Sequence, residues 1–163
     1  MIRDLNATIP GAPNFRYREF VRSDIATRLG ISNIPNKDQW RNIEVLARNV
    51  LQPIRNKFGG IKITSGFRSE ALNSAINGSS VSKHCNGEAA DIEPFDPNIS
   101  LIEMIGWIHR NLGYYDLIGE YLPDGWIHIA YRKGDNTKKL KIKDSKHNYK
   151  YVTIEEIKKL YIV

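Results

Sequence analysis

Two histidines and two carboxylates are spaced so that they could act together. His84 and Asp91 lie in "SVSKHCNGEAADIEPF", a segment with no helical pattern, and Glu120 and His128 flank the turn residues Pro123, Asp124 and Gly125. Two imidazoles and one carboxylate are a common ligand set for catalytic zinc, which leaves a fourth position to water. The metal lowers the pKa of that water to about 7, and a second carboxylate nearby can take its proton as it attacks a carbonyl. Cys85 is the only cysteine, so neither a thiolate zinc cluster nor an intrachain disulfide can form, and any metal must be held by nitrogen and oxygen.

The residues can meet only if the elements carrying them allow it. "YDLIGEYL" and "WIHIAYR" read as strands joined by a three-residue hairpin loop with a bulge, with Pro123 first, Asp124 second and Gly125 in the left-handed position. That register puts Leu122 opposite Trp126, Tyr121 opposite Ile127 and Glu120 opposite His128. Glu120 and His128 then project from one face as cross-strand neighbours. A strand over 89–95 alongside brings Asp91 to them, with His84 arriving from the loop before it. The roles are then His84, Asp91 and His128 as ligands and Glu120 as base; the alternative is a surface ion pair between Glu120 and His128.

The rest of the chain supplies a frame. Trp40, Ile43, Leu46, Val50, Ile54 and Phe58 recur at spacings of three and four, one buried face of a helix over 38–58 that Pro53 should kink or split and Gly59-Gly60 should end. "IKITS" (61–65) alternates as a short strand, and "SEALNSAING" reads as a short helix with Ser69 as cap and Gly78 as stop. A second long helix starts at Ser100, with Glu103 at capping-box spacing and Ile102, Ile105 and Ile108 inward. A basic strand around 140–142 and a capped helix from Thr153 follow. The pattern is α+β: an antiparallel sheet that carries the site, packed with helices. It divides a single domain, 1–163, into an N-terminal helical part (1–60), a catalytic core (61–143) and a C-terminal helical segment (144–163).

Composition limits the partners. An apolar content of 41% with 26% charged residues is that of a globular protein rather than a disordered one. No apolar run approaches the roughly 20 residues that span a bilayer, so membrane insertion is not expected, and "MIRDLNATIPGAPNF", with Asp4 and no apolar stretch, does not read as a secretory signal. The formal charge of +6 suits a polyanionic partner. Much of the excess lies in "YRKGDNTKKLKIKDSKHNYK" (131–150), which reads as a solvated strand and loop. No helix-turn-helix, zinc finger or aromatic RNA-binding motif accompanies it, so nucleic acid is not an expected partner.

"SGFRSEALNSAINGSSVSKHCNGEAADI" followed by "GWIHIAYR" resembles the zinc D-alanyl-D-alanine carboxypeptidase family, whose pattern is S-G-[YF]-R-S, S-x-H-x-x-G-x-A-x-D and W-[IV]-H-[IV]. The family includes phage L-alanyl-D-glutamate endolysins and shares its fold with the hedgehog signalling domain. The likeness covers residues 60–132, and "NFRYREFVRSDIATRLGISNIP" is similar to the phage-type branch. It implies Zn²⁺ on His84, Asp91 and His128. It implies that Arg68 binds a substrate oxygen, a task its planar donors suit, and that Ser82 either contacts substrate or shapes the loop. Gly87 and Ala89 fit small-residue packing beneath the metal. Many members carry the catalytic acid three residues before the last histidine, where this chain has Gly125. The candidates are then Glu120, favoured by the hairpin register, and Asp124, which suits the turn.

The implied activity is hydrolysis of a peptide bond in bacterial peptidoglycan stem peptides by a monomer. It would act on the wall after release from the cytoplasm or as a virion component. A non-catalytic wall-binding or phage structural module of the same fold is the rival. His109, near a helix C-terminus, reads as structural, His147 as exposed, and Cys85 as a packed thiol. Trp107 and Trp126 read as core or cleft wall.

Overall fold

The structure, a computed structural model, describes residues 3–161. Its strands and helices are β1 (Thr8–Ile9), β2 (Ala12–Arg16), α1 (Tyr17–Val21), α2 (Asp24–Leu29), α3 (Lys37–Leu46), α4 (Gln52–Phe58), β3 (Ile61–Ser65), α5 (Glu70–Ala75), β4 (Ala89–Pro94), α6 (Leu101–Asn111), β5 (Asp116–Glu120), β6 (Trp126–Ala130), β7 (Lys139–Lys143), β8 (Tyr149–Tyr151) and α7 (Ile154–Tyr161). Strands β3 to β8 form one sheet in the order β3-β4-β6-β5-β7-β8, and β1 pairs with β2. The α+β class with a mostly antiparallel sheet follows the sequence pattern. The exception is β7, which runs parallel to β5.

The two faces of this sheet have different chemistry, because side chains alternate along each strand. Ala90 and Ile92, Leu117, Ile127 and Ile129, and Leu140 and Ile142 all enter the apolar core. Helix α6 lays Ile102, Met104, Ile105 and Ile108 in that core, all at most 5% exposed. The opposite face carries Asp91, Ile118, Glu120, His128, Lys139, Lys141 and Lys143, which line a cleft of about 690 Å³. Such a volume falls within the ~300–1,000 Å³ typical of ligand sites.

The predicted 38–58 helix forms as one rod with a local defect. Asn36 caps it and Gln39 completes a capping box, and Trp40, Ile43, Leu46, Val50 and Ile54 are buried along it while Phe58 is half-buried. A π turn over Ala47–Leu51 joins α3 to α4 immediately before Pro53. Widening the turn gives the proline ring the room that a regular helix would deny it. Ser100 and Thr153 cap α6 and α7, the latter in a reciprocal pair with Glu156.

Several expectations fail in detail. The N-terminal part is not all helical, since β1 and β2 precede α1, and the C-terminal segment begins with β8. Helix α5 ends at Ala75 rather than at Gly78, with Asn77 in the left-handed position at φ 54°. The β5–β6 connection is five residues, Tyr121 to Gly125, and Glu120 pairs with Trp126 while Ile118 pairs with His128. Tyr121, at φ 56°, takes the left-handed position assigned to Gly125. Gly125 matters for another reason: a Cβ there would run into the Glu120 carbonyl. Nor is the basic stretch simply solvated, because Lys139, Lys141 and Lys143 are half-buried on the cleft face.

Candidate metal centre

His84 sits in a 3₁₀ turn, Lys83–Asn86, that is fixed from two sides. Helix α3 holds it from below: Gln39 Nε2 donates to the Cys85 carbonyl at 3.0 Å and Asn42 Nδ2 to the Asn86 carbonyl at 2.9 Å. Gly87 ends the turn at φ 72°, and a Cβ there would come within 2.5 Å of the Gln39 carbonyl oxygen. From the other side, the His84 carbonyl accepts the Arg68 amide at 3.2 Å.

The "SGFRS" run accounts for much of the site. Gly66 lies so close to α1 that a Cβ would fall 2.5 Å from the Phe20 carbonyl oxygen. Its own carbonyl meets His84 Nδ1 at 2.7 Å. A carbonyl can only accept, so His84 carries its proton on Nδ1 and turns the Nε2 lone pair inward, the usual way an outer partner orients a ligating histidine. Arg68 uses Nε on Ser65 Oγ at 2.9 Å and Nη2 on Asp91 Oδ2 at 3.0 Å. Ser69 caps α5.

Strand pairing brings the other two residues together. Asp91 and His128 are direct partners across β4 and β6. Asp91 Oδ1 lies 2.8 Å from His128 Nδ1 and 3.2 Å from His84 Nε2, and those two nitrogens are 3.2 Å apart. Tetrahedral zinc bonds of 2.0–2.2 Å separate neighbouring ligand atoms by about 3.3–3.6 Å. The three donors therefore need to spread only slightly to accept a cation. Their protonation suits one as well. Burial, the largest influence, pushes His84 below its ordinary value. Burial works to raise Asp91, but the charge and hydrogen bonds of the two histidines outweigh it and hold the carboxyl well below the usual carboxylate range. Metal binding requires an ionised carboxylate and imidazoles that give up their proton readily, and Asp91 and His84 are shifted in those directions.

Glu120 faces the same cleft, 7% exposed, with Oε2 on Lys143 Nζ at 3.0 Å. It is the diagonal rather than the direct neighbour of His128, a relation that spans roughly 7–8 Å and leaves room for one water between the side chains. Burial works to lower the Lys143 ammonium, but the hydrogen bond and charge of Glu120 hold it above its ordinary value. Ser82 lines the cleft while its carbonyl accepts the Cys85 amide. Asp124 is exposed in the connecting loop.

The remaining candidates lie outside the trio. His109 Nδ1 meets Tyr114 Oη at 2.6 Å, Trp107 packs edge-on against Phe58, and His147 is exposed. Cys85 is half-buried, and burial raises its thiol. Trp126 forms part of the cleft wall. Sequence reasoning missed the Gly66 carbonyl, the Gln39 brace and the Lys143 partner of Glu120. Only the glycine in "SGFRS" gave a signal for any of them.

A six-stranded sheet with one apolar face, and a His-Asp-His cluster on the other, define a metallohydrolase-like arrangement. The sequence matches the family model described as Peptidase M15 over residues 13–130, and the chain belongs to that family of zinc peptidases. No curated protein matches it. Among the described residues, no helix is long and apolar enough to cross a membrane.

Proposed function

We propose that this chain is a zinc-dependent peptidase that hydrolyses a peptide bond in bacterial peptidoglycan stem peptides. The observation that carries the hydrolytic reading is the trio of His84, Asp91 and His128 donor atoms, 2.8–3.2 Å apart in a cleft. These three residues would hold the ion. When bound, zinc supplies a Lewis acid that polarises a carbonyl and makes water a nucleophile near neutral pH.

The chain's own side chains do the rest. Glu120, within reach of the cleft floor through one water, takes the proton of the attacking water and passes it to the leaving amine. Arg68 fixes the Asp91 carboxylate through Nη2, and its remaining donors are available to a substrate oxygen. Ser82 borders the entry to this space. The stem-peptide assignment rests on the resemblance of the three sequence motifs to wall peptidases and on the basic cleft.

Two measurements test this. Elemental analysis should find one zinc per chain in the wild type and little in His84→Ala; equal zinc in both would end the metal assignment. Mass analysis of products from purified peptidoglycan should show a stem peptide cut by the wild type and not by that variant. An undigested sacculus would end the substrate assignment.

A further inference from the structure

Three basic side chains on the cleft wall are neutralised in place. Arg68 pairs with Asp91 at 3.0 Å, Lys141 with Asp116 at 2.9 Å and Lys143 with Glu120 at 3.0 Å. Two more line the same cleft, Lys83 and Lys139, and neither forms an ion pair among the described residues. They nevertheless converge: their Nζ atoms lie 5.0 and 4.6 Å from the centre of the Tyr115 ring. Lys139 Nζ also donates to Tyr115 Oη at 3.2 Å.

Both side chains are half-buried rather than free in solvent. Like charges gathered on one ring repel, and the attraction of each cation to the ring face offsets that only in part. Arg132 also approaches this ring, at 5.3 Å, but it has Asp135 at 2.9 Å. Among the described residues neither lysine has such a close partner; Asp116, across the strand pair from Lys139, gives its hydrogen bond to Lys141. The imbalance grows once the trio holds a dication, since Asp91 supplies its one negative charge.

We infer that Lys83, Lys139 and the Tyr115 hydroxyl form an anion subsite that selects a peptide carrying a carboxylate near the bond to be cut. The inference rests on the proposed peptidase reading and narrows it to anionic peptides. Lys83, Tyr115 and Lys139 line the same cleft as His84, Asp91 and His128, so the carboxylate would lie in the cleft of the reacting group rather than on a distant surface. A stem peptide offers two such groups, its terminal carboxylate and that of its glutamate. Either would offset part of the cleft's excess positive charge.

The test uses three synthetic stem pentapeptides: both carboxylates free, the terminus amidated, or the glutamate amidated. Calorimetry with the metal-free protein reads binding without hydrolysis, and kcat/KM with the zinc-loaded protein reads cleavage. The wild type should bind the free peptide at least tenfold more tightly than one of the amidated forms, and the form that loses affinity identifies the carboxylate. Lys83→Gln and Lys139→Gln should each weaken the free peptide and remove most of that preference. Lys133→Gln, an exposed change outside the cleft, should leave it intact. Binding of all three peptides within twofold by the wild type would overturn the subsite, as would lysine variants that weaken all three equally. The peptidase reading fails separately: a zinc-loaded protein that shows the binding preference but cuts none of the peptides keeps the subsite and loses the reaction. Cleavage without preference does the reverse.

Discussion

Replacing Glu120 by glutamine tests the proposed chemistry at its most exposed step. The substitution keeps size and one hydrogen-bonding oxygen but removes the proton acceptor. Glu120 is 7% exposed and its one ion pair among the described residues is with Lys143, so two consequences have to be separated. The catalytic one is loss of general-base assistance, about 10²–10⁴-fold in rate, or about 2.7–5.5 kcal/mol of barrier. The structural one is a partly buried ammonium left without its counter-charge. Lys143 keeps 18% side-chain exposure, so water and the glutamine oxygen limit that cost to about 1–2 kcal/mol. None of the trio contacts depends on Glu120, and zinc content should match the wild type. The assay is single-turnover hydrolysis with metal content and melting temperature measured on the same preparation. Asp124→Asn, in the exposed loop, should change the rate little. A Glu120→Gln protein that keeps its fold, its zinc and a rate within tenfold of wild type would refute the assignment of the base. So would an inactive Asp124→Asn protein beside an active Glu120→Gln one.

Other changes probe the supporting structure. Arg68→Lys cannot reach Ser65 Oγ and Asp91 Oδ2 with one planar fork as the arginine does, so kcat/KM should fall at least tenfold, about 1.4 kcal/mol, with zinc retained; near-normal turnover would make Arg68 dispensable to catalysis. Gly66→Ala places a Cβ 2.5 Å from the Phe20 carbonyl oxygen and moves the carbonyl that orients His84, so zinc affinity should fall about 10–100-fold, read by competition with a chelator. Tyr114 is fully buried, and burial, then the Asp116 charge, raises its hydroxyl from 10.0 to about 12. Because the folded value is the higher one, its contribution is complete below about pH 10 and is lost as pH rises toward 12. Between pH 9 and pH 11 urea denaturation should show a loss of stability that is smaller in Tyr114→Phe than in the wild type by about 1 kcal/mol, the remainder including that of Tyr17, which burial also raises to about 12; equal losses in the two proteins would exclude Tyr114 as a cause.

Much of the fold was legible because local signals and the tertiary structure agree. The spacing of Trp40, Ile43, Leu46, Val50 and Ile54 describes a face that is buried, and the caps at Ser69, Ser100 and Thr153 start helices where their side chains can accept backbone amides. What escaped had little local signal. Strand β8 is the exposed triplet Tyr149–Tyr151 at the sheet edge, and it is held by pairing to β7 rather than by a buried apolar alternation. The parallel partnership of β5 and β7 joins segments about twenty residues apart and is invisible to period or propensity. The lysines of β7 read as surface because charge patterning does not reveal that Asp116 and Glu120 wait opposite them.

A wrong register still put Glu120 on the sheet face that carries Asp91 and His128. Counting the β5–β6 loop as three residues placed Glu120 opposite His128, whereas the five-residue loop places it opposite Trp126. The slip is two residues. Side chains on a strand alternate with a period of two, so a slip of two moves a residue along its face and a slip of one would turn it over. Glu120 therefore stays on the face with Asp91 and His128 and passes from direct to diagonal neighbour. That shift has a chemical consequence. A carboxylate directly opposite His128 would compete with Asp91 for the same ion, while a diagonal one stands off by about the width of a water. The longer loop thus separates the carboxylate suited to hold the metal from the one suited to take a proton.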